Sequence, residues 1–445
     1  FFPSVSAGWR VSQEPFWKVP EEIFSNLKVR ASYGSLGNGN IDPYSFQELF
    51  KIKQSSLVLN GIRPQYTGQP AVIPLGLTWE KSTTLNLGLD FAFLSNRLQF
   101  SGDIYQRKTT DMFTVGMSLP AVFGTDVPKG NYADLTTKGF ELSVSWRDQF
   151  QLASKPFNYE VRFTLADYQS TIDKYNNPEK KLGDDYYYEG MKVGEIWGYE
   201  TEGFFTSQAD IDSHAKQPYF YAGATAGQWL PGDIKFKDLN GDGVIDYGNN
   251  TVDNPGDQKI IGNSEPRFIY GINLSGDWNN FFVSAFFQGV GKQDWWPGSE
   301  ASYFWGMYNR PYNDMPKSHL GNIWTEENPN TYFPRLRGYS SEEPYAELNL
   351  KQTRYLQNIA YIRMKNIQLG YTLPKSFISK LRMQNAKVYV SGENLWSWSP
   401  FYKYSKDLDV EAVRGSDRDL TEGTSGNGYS YPILKSVSFG LSVTF

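Results

Sequence analysis

Ser436-Val437-Ser438-Phe439-Gly440-Leu441-Ser442-Val443-Thr444-Phe445 places a large apolar residue at every odd position and a small or polar one at every even position. A period of two gives a strand one apolar face and one polar face. The pattern recurs upstream. Leu85, Leu87, Leu89, Phe91 and Phe93 alternate with Thr84, Asn86, Gly88, Asp90 and Ala92, and Leu27, Val29, Ala31 and Tyr33 alternate with Lys28, Arg30, Ser32 and Gly34. Three more runs follow it, at Phe140–Trp146, Tyr159–Leu165 and Phe268–Leu274.

A soluble antiparallel sandwich also alternates, so pattern alone leaves two folds open. Strand length and loop asymmetry favour the second, a membrane barrel. The runs reach about ten residues or more, the length a tilted strand needs to cross a bilayer, where sandwich strands have a mode of about five or six. Tight or short connections at 94–97, 277–280, 13–25, 147–157 and 374–385 alternate with long ones near 36–81, 173–264, 292–356 and 400–430. Brief turns on one side and extended loops on the other mark an outer-membrane barrel. Trp9, Trp146, Trp278, Trp396 and Trp398 fall near strand ends, where interfacial aromatic girdles form.

The expected class is therefore all-β, a transmembrane antiparallel β-barrel. Strands are expected near 5–12, 26–35, 82–93, 98–114, 132–146, 158–172, 265–276, 281–291, 357–373, 386–399 and 431–445. That is about 11, and an odd number of antiparallel strands cannot close on itself without unpaired edges in lipid. The expectation is the C-terminal half, spanning 1–445, of a barrel of roughly 22 strands, the size that encloses a plugged lumen. The plug would lie on residues outside this chain, which opens Phe1-Phe2-Pro3 without a signal-like segment and is expected to be processed or partial.

Composition narrows the chemistry. The chain has 445 residues, no cysteine, only His214 and His319, and 30 Tyr, 30 Phe and 13 Trp. Without cysteine there is no disulfide scaffold, cysteine zinc site or thiol nucleophile. A net charge of -5 from 43 basic and 48 acidic residues does not point to nucleic acid. Mean hydropathy is -0.51, which speaks against a helical membrane protein and not against a barrel.

Several stretches, taken in order, resemble the second half of SusC/RagA-type TonB-dependent outer-membrane transporters. They are Leu27 to Asn40, Leu77-Thr78-Trp79-Glu80 with Asn86 to Phe91, Lys138 to Leu142, and Gly198-Tyr199 with Gly203-Phe204-Phe205. Pro231-Gly232-Asp233, Asp238 to Gly243, Lys365 to Tyr371, Gly392 to Leu395 and the terminal Phe445 complete the series. The resemblance implies import of oligosaccharides, or of peptides, across the outer membrane of a Bacteroidota-type bacterium. It implies a SusD-like lipoprotein lid, a TonB complex acting on the absent N-terminal plug, and a dimer of transporter–lipoprotein pairs. The rival readings are a passive structural or adhesive barrel, and a secreted glycan-binding or glycan-degrading β protein.

Two local signals carry candidate sites. Asp238, Asn240, Asp242, Val244 and Asp246 occupy positions 1, 3, 5, 7 and 9 of an EF-hand-like calcium loop, with Gly243 at position 6. Position 12 is Asn249 rather than glutamate, so Asp253 or Asp233 would have to complete a structural Ca2+ site. An ion-free Asn/Asp/Gly turn is the alternative. Tyr186, Tyr187, Trp295, Trp296, Trp305, Tyr308 and Tyr312 are candidate ligand or lid contacts, against the alternative that such rings form local cores. No catalytic residues are expected. Glu342 and Glu343 are adjacent on the chain and point apart, where glycoside hydrolysis needs two carboxyls flanking one bond.

Overall fold

The computed structural model describes all residues except 1, 40–43, 45–46, 71, 74–75, 117–121, 123–126, 184–185, 221–227, 300, 313 and 414–430, and omits the side chains of 339 and 381. The expected loops 36–81 and 400–430, and Asn40 of the first family stretch, thus lie partly outside the described residues.

Eleven strands form one sheet in strict chain order, every neighbour antiparallel. They are β1 (Ser4–Trp9), β2 (Phe24–Asn38), β3 (Glu80–Phe93), β4 (Leu98–Val115), β5 (Lys129–Leu152) and β6 (Lys155–Lys174). The second half has β7 (Arg267–Trp278), β8 (Phe281–Lys292), β9 (Tyr361–Thr372), β10 (Asn385–Trp398) and β11 (Ser436–Thr444). β1 and β11 are the two edges of this open sheet. Among the described residues no helix is long and apolar enough to cross a membrane.

Most ends match the sequence reading to within a few residues. The connection expected at 147–157 is instead a two-residue hairpin, because β5 and β6 run on to Leu152 and Lys155. Ala153 and Ser154 turn it with φ of 47° and 62°, the backbone signs that a type I′ hairpin requires. The final strand begins at Ser436 rather than 431.

The apolar rows are exposed. On β3 Leu85, Leu87 and Leu89 face outward, and on β11 Phe439 is 86% exposed beside Val437 and Leu441. In a sandwich these rows would meet a second sheet, whereas here the large buried cluster lies in the loops and takes from the wall only residues near strand ends, such as Val290 and Tyr361. The outward rows therefore face hydrocarbon. Arginine in place of Leu87 should destabilise the inserted barrel by about 2–4 kcal/mol, and arginine at Thr84, on the opposite face, by far less. Denaturant unfolding in lipid vesicles measures the difference.

The inward face is polar and bonded. Arg30 on β2 donates from Nε and Nη2 to Asp90 at 2.8 and 3.0 Å, and from Nη1 and Nη2 to Asp103 at 2.9 and 2.8 Å. Ser101 and Asn86 donate to the same two carboxylates. Arg30 reaches β4 by crossing β3 at Gly88, where an added Cβ would sit 2.6 Å from the guanidinium carbon. A second inward group joins Arg147, Glu160 and Arg162. Trp9, Trp146 and Trp278 mark the short-turn end of the wall, and Trp396 and Trp398 the long-loop end.

Candidate functional site in the outer loops

All the long connections emerge at one end of the sheet, and the described residues of three of them, within 175–266, 293–360 and 399–413, pack into a single body. Its aromatic core includes Phe205, Phe236, Trp305, Tyr308, Phe333 and Tyr355, each almost wholly buried. Short pairings give the body its frame: Glu195–Tyr199 with Gln258–Asn263, and Thr201–Phe204 with Ile234–Phe236. A one-turn helix, Gln208–Ser213, begins at Ser207, whose hydroxyl accepts from the Asp210 amide. That is the N-cap chemistry expected of serine.

Both histidines serve this core. His214 Nε2 lies 2.8 Å from the Phe236 carbonyl, and His319 Nε2 lies 3.0 Å from that of Phe304. Burial holds the His319 imidazole below its ordinary pKa. Glu342 is buried and Glu343 exposed, so the adjacent pair does point apart.

The aromatic candidates divide. Trp305 and Tyr308 are 0% exposed and Trp295 is nearly as buried, which corrects their reading as contacts: they are core. Trp305 Nε1 donates to the carbonyls of Pro297 and Gly298, and the Tyr308 hydroxyl to that of Pro334. Trp296 packs partly buried against the same core. Tyr186, Tyr187 and Tyr312 are exposed, Tyr312 to 80%. Tyr186 lines a cleft, where it joins Tyr188, Trp197, Tyr247 and Tyr345. Tyr247 and Tyr345 were not foreseen, because each is a lone tyrosine in a polar segment and the fold alone brings the two together.

The calcium-like loop is bonded to itself. Asp238 accepts from the amides of Gly241 and Gly243 at 2.6 and 2.9 Å, Asn240 from that of Asp242, Asp242 from that of Val244, and Asp246 from that of Gly248. Asp257, fully buried and unforeseen, clamps both sides by accepting from the amides of Leu239 and Asp246 at 2.7 and 2.9 Å. Among the described residues no three His, Asp or Glu side chains converge as for a metal ion.

Asp233 has another role than that of a calcium ligand. It is wholly buried, with Arg337 donating from Nε and Nη2 to its two oxygens at 2.7 and 2.6 Å and the Leu230 amide adding a third bond. Nearby, Glu347 is also wholly buried; one oxygen accepts from the Ile234 amide at 2.8 Å and the other has no partner. Burial raises the Asp233 carboxyl against the pull of Arg337. It raises Glu347 well above the carboxylate range, with the Asp233 charge adding to the shift. Arg337, holding both Asp233 oxygens, offsets part of that rise at Asp233, and among the described residues no guanidinium bonds Glu347 directly. A carboxyl whose folded pKa exceeds its unfolded value of about 4.3 lends stability that is complete below that pH and is lost as pH climbs toward the folded value. Glutamine at position 347 keeps the neutral form. The E347Q body should melt near the wild-type temperature at pH 4 and above it at pH 8, a widening gap that calorimetry reads.

An outward apolar wall, a polar inner face and a packed body on the long-loop end define the class of an outer-membrane β-barrel, of which this open sheet is a part. The family model described as TonB dependent receptor-like, beta-barrel matches residues 1–395, and the chain belongs to that family, which places it in the outer membrane. TonB-dependent receptor P3 of Formosa agariphila is 28% identical over 467 residues, covering all of this chain and 42% of the relative. TonB-dependent receptor SusC of Bacteroides thetaiotaomicron is 24% identical over 470 residues, covering all of this chain and 40% of the relative. The solved RagAB peptide transporter superposes with a TM-score of 0.74 at 20% identity, over all of this chain and 43% of that one. The chain spans about two fifths of the length of the curated relatives it matches.

Proposed function

We propose that this chain supplies half the wall and several outer loops of a TonB-dependent importer of oligosaccharides or peptides, working with a SusD-like surface lipoprotein. The observation that carries the reading is the body of packed loops standing at one end of a lipid-facing wall. A passive barrel needs no such body, and a secreted β protein would not leave its apolar rows bare. The mechanism is capture and gated passage: exposed rings on the body and lid hold the ligand, and force on a plug outside this chain opens the lumen. The inward groups at Arg30 and Arg162 then form part of the wall against which that plug rests. Pairing of two such transporter–lipoprotein units belongs to the same proposal.

Deleting the gene that encodes the chain should abolish growth on one oligosaccharide or peptide source, and the detergent-extracted receptor should bring a lipoprotein with it. Normal growth on every such source, with no lipoprotein retained, favours the passive barrel. A structural Ca2+ in the Asp238–Asp246 turn would require oxygens of Asp238, Asn240 and Asp242 to exchange amide partners for the ion. A melting temperature that rises with Ca2+ and falls with chelator supports the ion, and an unchanged one supports the amide-bonded turn.

A further inference from the structure

Between the 175–266 and 293–360 loops lies an open cleft of about 340 Å³. Five tyrosines and Trp197 line it, together with the amide side chains of Asn250, Gln258 and Asn349. Tyr247 and Tyr345 adjoin at its mouth, ring centroids 6.1 Å apart and planes 35° from each other. That spacing is too close to admit a ligand between the rings, so they form two tiles of one platform. Tyr345 is 54% exposed and its backbone is left-handed, with φ of 66°. A bulky residue rarely adopts that conformation, and burial does not offset the strain here.

The charged groups of the lining are already engaged. Glu195 accepts from the Tyr188 hydroxyl at 2.5 Å and from the Lys192 amide at 3.1 Å, and Lys351 has its own partner. Among the described residues the cleft thus offers the exposed rings of Tyr186, Tyr247 and Tyr345, and the side-chain oxygens of Gln258 and Asn349, whose amide nitrogens already donate to the protein, as acceptors. A pyranose presents apolar C–H faces to such rings and hydroxyls to such acceptors. A charged peptide would find no unpaired counter-charge among the described residues of the lining.

We propose that this cleft is a subsite for neutral oligosaccharides, with Tyr247 and Tyr345 as the stacking platform. The proposal rests on the importer reading and narrows its substrate to glycans. The full-length receptor, purified in detergent with its lipoprotein, is tested for binding to neutral heptasaccharides of α-1,4-glucan, β-1,3-glucan and β-1,4-xylan. An alginate heptasaccharide and a library of ten-residue peptides are the contrasting probes. The expected result is binding of a neutral heptasaccharide that weakens about tenfold or more in the Tyr247→Ala/Tyr345→Ala variant and is kept in Tyr247→Phe/Tyr345→Phe. Both rings are at the surface, so melting temperatures should match the wild type. Unchanged affinity in the alanine variant, binding confined to alginate or peptides, or retention of no neutral sugar overturns it. If unchanged affinity is found while the deletion strain still loses growth on a glycan, the subsite alone fails. If deletion costs the cell no growth on any source, the importer reading fails.

Discussion

Leucine in place of Arg337 is expected to destabilise the outer-loop body by about 3–5 kcal/mol, because it leaves Asp233 buried without its hydrogen-bonded counter-charge. The guanidinium holds both oxygens of a side chain that has no solvent exposure. The loss should appear as protease cleavage within 175–266 and 293–360 at temperatures where the wall itself still resists heat. Replacing both partners with leucine should recover much of the stability, since no charge is then stranded. A double variant as labile as the single one would show that Arg337 acts through other contacts.

Trp305→Ala should cost a similar amount, about 3–5 kcal/mol, by opening a cavity in the same core. The ring meets Phe304 and Tyr355 edge-on at 4.8 and 5.2 Å, and its N–H bonds to the chain at Pro297 and Gly298. Tyr312→Ala also removes an aromatic ring, but from the surface, and should change stability by no more than about 0.5 kcal/mol. Thermal melts of the two variants separate core from surface directly. A Trp305→Ala receptor of unchanged melting temperature would contradict the packing described here.

The wall was legible because its physics is local. A strand in lipid must alternate, and each of the eleven segments could be recognised from about ten consecutive residues. The signal failed where strands leave the bilayer. Arg147, Asp148 and Gln149 continue β5 in water, need no apolar partner and so resemble a loop. The loop body was legible only as a density of rings. Which rings are buried depends on contacts such as Trp305 with Tyr355 and Asp233 with Arg337, the latter 104 residues apart. No periodicity announces such pairs. Trp295, Trp305 and Tyr308 were thus indistinguishable in sequence from Tyr186 and Tyr312, and the acidic turn at Asp238 could not reveal that its oxygens point at its own amides.

The crossing of Arg30 over Gly88 also bears on how neighbouring strands find their alignment. Alternating hydrophobicity penalises a slip of one residue, which would turn every side chain to the wrong face, but a slip of two leaves the faces intact. Sliding β3 by two positions would put Asn86 or Asp90 under the guanidinium in place of the bare glycine, and would carry Asp103 away from its donor. This one polar contact thereby acts as a vernier, rejecting the even misalignments to which the greasy exterior is blind.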